Sequence, residues 1–399
     1  MLHPLSPAMA ATFAPPVMEA RRWLAEARLP EGLELINVSQ AAPVAPPPVA
    51  LREALAEAIL TDPTTHLYGP ALGQAELRAE LAAQTGRMYG GEVAAAQVAI
   101  TQGCNQAFCA VMATLAGAGD AVILPVPWYF NHKMWLDMSG IAAVPLPTGP
   151  GLLPDPEAAA ALIGPSTRAI VLVSPNNPGG AEYPPELIAA FRDLARTRGL
   201  ALILDETYRD FHSRPGAPHG LFADPGWDDV LISLYSFSKA YRLTGHRVGA
   251  ILAAPARLAE VEKFLDTVAI CAAQPGQRAA LWGMRHLAQW LAGERAEVLA
   301  RRAAMEAGFA RLAGWRLLGC GAYFAYAEHP FEEASDALCR RLVGEAGILM
   351  LPGTMFTPEG DAGGRQALRI AFANLDTDGI GRLFDRLERL ERLEPAGAG

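Results

Sequence analysis

Lysine is nearly absent from this chain. Of 33 basic residues among 399, all but Lys133, Lys239 and Lys263 are arginine, so chemistry that needs an amine has three places to reside. Cysteine is sparse too: Cys104, Cys109, Cys271, Cys320 and Cys339 are odd in number and lack C-x-x-C or Cys/His ligand spacing. That counts against a disulfide framework and a structural zinc site, and no metal is expected. Basic runs are missing and the net charge is −9, which sets nucleic acid aside as a partner. No apolar run approaches the ~18–20 residues that span a bilayer, so no membrane association is expected. The opening MLHPLSPAMAATFAPP lacks a basic n-region and is broken by prolines, so no signal peptide is expected and the cytoplasm is the expected compartment. Neither a P-loop nor a G-x-G-x-x-G after the first strand is present, which removes the common nucleotide-binding motifs.

What is present is patterned. Hydrophobic residues make up 51% and charged residues 19%, and chains beyond about 250–300 residues usually divide into domains. Short apolar runs at QVAIT, AVILP, IAAVPL, RAIVLVS, LALILD, VLISLYS and VGAILA predict buried strands. Between the fourth and fifth, PPELIAAFRDLARTRG puts Leu187, Ile188, Phe191, Leu194 and Ala195 on one helical face, with prolines at its start and Gly199 at its end, which predicts a crossover helix. The expected fold is α/β: a large domain with a mostly parallel seven-stranded sheet flanked by helices, binding ligands beyond the carboxyl ends of its strands. After about residue 275 the pattern predicts one long helix. It leads into a smaller α+β domain with strands at AYFAYAE, ILMLP and LRIAFAN and a last helix carrying Ile380, Leu383, Phe384, Leu387 and Leu390. AAPVAPPPVA at 41–50 and the EPAGAG tail read as a linker and an end. The expected division is an N-terminal arm and small-domain segment at 1–45, a large domain at 46–290 and a small domain at 291–399.

Among the lysines, Lys263 in ARLAEVEKFLDTV reads as a solvated helix residue, and Lys133 in NHKMW has no supporting context. Lys239 differs: SLYSFSKAYRLTGHRVG sets it in a hydroxyl-rich loop where an apolar strand stops, with Arg247 following among glycines. Three other strand ends bear comparison. QGCNQAF offers a helix start whose amides can bind an anion. PNNPGG is a tight turn with two amide side chains. ETYRDF sets Asp205 at a strand end, with Tyr208 three residues on. Each alone is an ordinary turn or cap; together they are the parts that hold pyridoxal 5′-phosphate (PLP).

The combination, above all SFSKAYRLTGHRVG, resembles the class I/II aminotransferases, PLP enzymes of fold type I, over roughly residues 36–374. The resemblance implies that Lys239 carries the cofactor as an imine, and that Arg247, Ser236 and Ser238 bind its phosphate with the amides of Cys104 and Asn105. Arginine's planar fork suits that task. It implies that Asp205 pairs with the pyridine nitrogen, keeping the ring cationic, and that Asn177 and Tyr208 hydrogen-bond the phenolic oxygen. The resemblance further implies that Tyr129 in VPWYF covers the ring, with Trp128 beside it as the competing aromatic. It implies that Arg369, a charge inside the apolar run QALRIAFAN, clamps the substrate α-carboxylate beside Asn177. It implies too that Tyr68 in YGPALGQAELR reaches the phosphate in the neighbouring subunit of a homodimer.

The activity that the resemblance implies is that of a PLP-dependent transaminase of amino acid metabolism, passing an amino group from an L-amino acid to a 2-oxo acid by a ping-pong mechanism. Two departures bear on the substrate. Ala41 stands where the family often has glycine, which tightens the pocket, and VAICAAQPGQ holds no arginine where dicarboxylate-specific relatives place one. The alternatives on the same fold are a β-lyase, decarboxylase or cyclising enzyme, and a non-catalytic PLP-binding sensor. The sensor would require a DNA-binding module that the residues before about 36 are too few to supply.

Overall fold

The computed structural model describes residues 3–393. A two-residue strand, β1 (Ile36–Asn37), precedes the main sheet of β2 (Val98–Thr101), β3 (Ala121–Val126), β4 (Ala142–Pro147), β5 (Thr167–Val173), β6 (Ala201–Asp205), β7 (Leu231–Ser236) and β8 (Gly249–Leu252). The order across the sheet is β2-β8-β7-β6-β5-β3-β4. Each of the seven expected strands is present. From β7 to β4 the pairing is parallel; only β8 runs against its neighbours β7 and β2. The segment 237–248, which carries Lys239 and Arg247, is thereby tied at both ends to adjacent strands. All residues of β2, β7 and β8 are buried, as expected of strands covered on both faces. The crossover helix spans Pro185–Arg198, buries Ile188, Phe191 and Ala195, and ends on Gly199 in the left-handed region.

A second sheet contains β9 (Arg316–Gly321), β10 (Phe324–Glu328), β12 (Leu351–Pro352) and β13 (Ala367–Ala371) in the order β12-β13-β10-β9, while β11 (Ile348–Leu349) pairs in parallel with β1. ILMLP is therefore not one strand. It divides at Met350, because the N-terminal segment takes its first half and β13 its second. The long helix is likewise two, Gln274–His286 and Ala288–Phe309, broken at Leu287. β9, in RLLGCG, is not among the expected strands because its two glycines weaken the strand pattern. Helices Pro7–Ala11 and Pro16–Glu26 occupy a segment where no element was expected; proline opens each, the position where its missing N–H does no harm. The expected linker stops at Pro48, where helix Val49–Thr61 begins. The EPAGAG tail lies outside the described residues. The final helix buries Ile380, Leu383, Phe384, Leu387 and Leu390. Among the described residues no helix is long and apolar enough to cross a membrane.

The two sheets meet backbone to backbone. In the PNNPGG turn beyond β5, Gly180 has φ +69°, and a Cβ there would lie 2.6 Å from Phe324 O and 2.8 Å from Gly321 O. Gly180→Ala is expected to destabilise the protein by about 2–4 kcal/mol, combining left-handed strain with a clash against backbone. Gly199→Ala has a similar φ and open space around it, so it should cost only about 1 kcal/mol. Urea unfolding of both variants measures the difference.

Candidate active site

A cavity of about 380 Å³ opens at the carboxyl ends of β5, β6 and β7, against the start of helix Cys104–Leu115. It is lined by Ala41, Cys104, Asn105, Tyr129, Asn177, Asp205, Tyr208, Ser236, Ser238, Lys239, Arg247 and Arg369. Tyr68 is not among its walls and is 80% exposed. Trp128 is buried in a core cluster outside the cavity. The other two lysines are engaged elsewhere, Lys133 with Asp137 and Lys263 with Glu260.

One end of the cavity is built for an anion. Helix Cys104–Leu115 starts at Gly103, with φ +82° and no side-chain cap, so its first amides are free to bind a ligand. A Cβ on Gly103 would come within 3.0 Å of Arg247 Cζ; glycine lets the guanidinium close over the helix start. Arg247 holds a left-handed conformation, φ +53° and ψ +61°, and its Nη1 donates to Thr244 O at 3.0 Å. Among the described residues no carboxylate pairs with it. Strain in a non-glycine residue, held beside an uncapped helix, is the kind of local cost found at binding sites. Ser236 Oγ accepts from the Ser238 amide at 3.3 Å, and Tyr129 donates its hydroxyl to Asn105 Oδ1 at 3.2 Å.

The floor is a buried carboxylate. Asp205 Oδ1 accepts from the Thr207 amide at 3.0 Å and lies 3.6 Å from Cys104 Sγ, while Oδ2 lies 3.3 Å from His132 Nε2. Burial pushes the Asp205 carboxyl up, but its hydrogen bond and charge interaction with His132, together with the Thr207 contacts, bring it below its ordinary value. It stays ionised. Burial, then Asp205 itself, pushes the Cys104 thiol well up, so sulfur faces the carboxylate as a thiol. Behind the floor, Glu206 is held to about 2 despite burial by His219, Arg209 and Tyr89, and it also accepts from Ser233 at 2.7 Å. Sequence reasoning missed His132, Thr207 and Glu206. His132 stands three residues beyond Tyr129 and stacks on Phe108 with ring centroids 3.9 Å apart. That helical spacing beside an expected site residue was the available signal.

Two further cations complete the site. Lys239 Nζ donates to Ala41 O at 2.5 Å. Burial, with the positive charges of Arg247 and Arg369, lowers its pKa to about 8, so a useful fraction is a neutral amine near neutral pH. Arg369 projects from β13 and is 2% exposed. Its Nη1 donates to Asn177 Oδ1 at 3.2 Å and its Nη2 to Ser39 O, while its Nε has no partner. Phe356 and Phe324 flank it at 4.9 and 5.4 Å. Burial lowers Arg369 to about 10, which leaves it charged at neutral pH without a carboxylate beside it among the described residues. The arrangement can bind a molecule with two anionic ends and expose it to an amine poised to take or give a proton.

Comparison with known proteins agrees with this chemistry. The family described as aminotransferase class I and II matches residues 34–387. A valine–pyruvate aminotransferase of Mycobacterium tuberculosis is 32% identical over 91% of this chain and 93% of its own length. An aromatic aminotransferase of Arabidopsis thaliana is 29% identical over 79% of this chain and 80% of its own. A crystal structure of an aminotransferase from Mycobacterium tuberculosis superposes with a TM-score of 0.89 at 28% identity, covering 98% of this chain and 100% of that one.

In cofactor-free protein, acylation of Lys239 should rise with pH through a midpoint of about 8. Arg369→Ala removes a positive neighbour that disfavours the ammonium form, so the midpoint should move to higher pH. Peptide mapping of the labelled lysine across pH measures both.

Proposed function

The chain belongs to the class I and II aminotransferases, and from that premise we propose that its cavity holds PLP and passes an amino group from an L-amino acid to a 2-oxo acid. The observation that carries this reading is the meeting of three groups in one cavity: a buried ionised Asp205, a Lys239 amine lowered to about 8, and a buried Arg369 with no acidic partner among the described residues. The residues present fit the cofactor. The uncapped helix start under Arg247 matches its phosphate, and Asp205 matches its ring nitrogen.

When bound, PLP supplies a carbonyl carbon that takes up the amino group and a ring that delocalises the charge left at Cα. The chain's own residues do the rest. Arg247, Ser236, Ser238 and the amides of Cys104 and Asn105 bind the phosphate. Asp205, oriented by His132, receives the ring N–H and keeps it charged. Asn177 and Tyr208 hydrogen-bond the phenolic oxygen, and Tyr129 covers one face of the ring. Arg369 grips the substrate α-carboxylate, beside Asn177, and so fixes the direction of the Cα–H bond. Lys239 would be the residue that holds the cofactor's carbonyl carbon, and its amine would be the group that takes the proton from the substrate Cα. Ala41 offers the carbonyl that steadies Lys239 and narrows the substrate end.

The wider expectations enter here as part of the same reading. The pocket is not strictly selective for dicarboxylates, a view supported by the valine–pyruvate and aromatic names of relatives. The segment VAICAAQPGQ lacks an arginine and instead turns sharply at Ile270, φ +62° and ψ −59°, closing Cys271 N onto Ala269 O at 2.6 Å. Tyr68 serves the partner's phosphate site in a homodimer; its own exposure and that of Leu60 at 84% and Leu67 at 61% support an interface there. Residues 1–45 form an arm and small-domain segment, 46–290 a large domain and 291–399 a small one, and the protein works in the cytoplasm in amino acid metabolism.

A panel of amino acids given to holoenzyme without an acceptor should release one equivalent of 2-oxo acid per site, and full turnover should give parallel double-reciprocal lines. Ammonia release in place of amino transfer would sink the reading. Lys239→Ala should lose at least about 10³-fold in turnover together with the bound cofactor's imine absorption. Tyr68→Ala should weaken PLP affinity by about tenfold, as expected for one lost hydrogen bond to a charged group. Unchanged affinity would remove Tyr68 from the site.

A further inference from the structure

Arg242 stands three residues beyond Lys239 and holds a left-handed conformation, φ +55°. Glycine takes that conformation without strain, so an arginine there has to be kept by what its side chain touches. Its guanidinium closes on Glu294 as a fork: Nε donates to Oε2 at 2.9 Å and Nη2 to Oε1 at 2.8 Å. The Trp290 ring, one turn earlier on helix Ala288–Phe309, lies 5.3 Å from its Cζ. The remaining arm, Nη1, donates to Pro46 O at 3.5 Å. From the same turn of chain, Lys239 Nζ donates to Ala41 O at 2.5 Å. The stretch 41–46 is thus gripped at both ends by the lysine loop, and Arg52 Nε donates to the next carbonyl, Pro47 O, at 3.1 Å. AAPVAP needs such grips: its prolines have no N–H to enter a ladder, and the stretch forms neither helix nor strand. Ala41 and Ala42 line the cavity, so the stretch is a piece of cavity wall beside Lys239.

We propose that Arg242, locked on Glu294, is a positioning residue that holds the 41–46 stretch against the lysine loop and so keeps Lys239 buried in the cavity; its bearing on amino transfer rests on the aminotransferase reading above. Arg242 is not part of the cavity wall, so it acts through that stretch and not on a ligand. Burial is the largest cause of the lowered Lys239 pKa, ahead of the charges of Arg247 and Arg369, and the Tyr208 ring lies 5.9 Å from its Nζ. A wall that loosens admits water, which favours the ammonium form, and leaves Arg247, Arg369 and Tyr208 in place. The Arg242–Glu294 pair thereby ties a helix outside the cavity to the protonation of the amine inside it.

The test labels Lys239 across pH in the cofactor-free full chain and measures amino transfer in the holoenzyme. Arg242→Gly removes the fork and the strain together, while Glu294→Gln weakens the fork and leaves the strained residue in place. The midpoint of Lys239 acylation should rise from about 8, by about one pH unit, tenfold in proton affinity, in Arg242→Gly and by less in Glu294→Gln. Val44 is 79% exposed, and elastase should cleave after it at least about fivefold faster once the grip at Pro46 is gone. Arg242→Lys should recover part of the shift, and the double variant should do no more than Arg242→Gly alone, as for two residues that act as a unit. In the holoenzyme kcat should fall by about tenfold, with KM for the amino acid within about twofold. A midpoint that stays in place in Arg242→Gly and Glu294→Gln, both shown by thermal unfolding to be folded, overturns the role, and so does an additive double variant. A raised midpoint in a protein whose unaltered holoenzyme transfers no amino group upholds the role of Arg242 and overturns the aminotransferase reading alone.

Discussion

A guanidinium buried without a carboxylate is expensive, and Arg369 is such a group. Leaving one charge uncompensated inside a protein costs several kcal/mol unless other groups take up the field. Here Asn177 Oδ1 and Ser39 O accept two of its hydrogen bonds, and the faces of Phe356 and Phe324 lie beside it. They compensate it only in part: its Nε is unsatisfied and its pKa falls to about 10. The shortfall is what a ligand carboxylate would supply. Burial first, and then the charges of Arg247 and Arg369, lower Lys239 to about 8, so the same unpaired cation also helps keep a nearby amine reactive.

Compensating Arg369 also organises the chain. It and its two hydrogen-bond partners come from three regions: Asn177 from the turn after β5, Ser39 from the segment after β1, and Arg369 itself from β13 in the second sheet. The two sheets can bring these groups within hydrogen-bonding distance only if the turn carrying Asn177 lies directly on the β9–β10 hairpin. Gly180 makes that approach possible. Close packing of backbones leaves little slack there, so the turn that carries Asn177 and the strand that carries Arg369 are held in fixed relation.

The sequence was most legible where one rule acted alone. The seven strands of the main sheet are continuous apolar runs, and each appears, although the edge strand β4 buries only Leu146. Arg369 stood out because a charge in LRIAFAN contradicts its surroundings, and Lys239 because amines are so few. Legibility failed where tertiary partners decided the outcome. ILMLP has a uniform strand composition, yet two different sheets claim its halves. Prolines near the N-terminus read as breakers but open helices. His132 offers only its helical spacing from Tyr129 as a local signal; its meaning comes from Asp205, 73 residues away in sequence and 3.3 Å away in space.

Rigidity is distributed unevenly around the cavity, and the distribution follows the chemistry. Asp205 has both oxygens engaged and is backed by the buried Glu206 cluster and the His132–Phe108 stack, so the floor has a single arrangement. An electrostatic partner whose position is fixed in advance loses nothing to reorganisation when charge develops. At the rim, Gln40 and Arg21 are exposed and joined by one hydrogen bond of 3.3 Å. A contact that weak can be exchanged at little cost. The buried half of this cavity thus keeps its charged groups in one arrangement, while the exposed half is joined by contacts that can exchange.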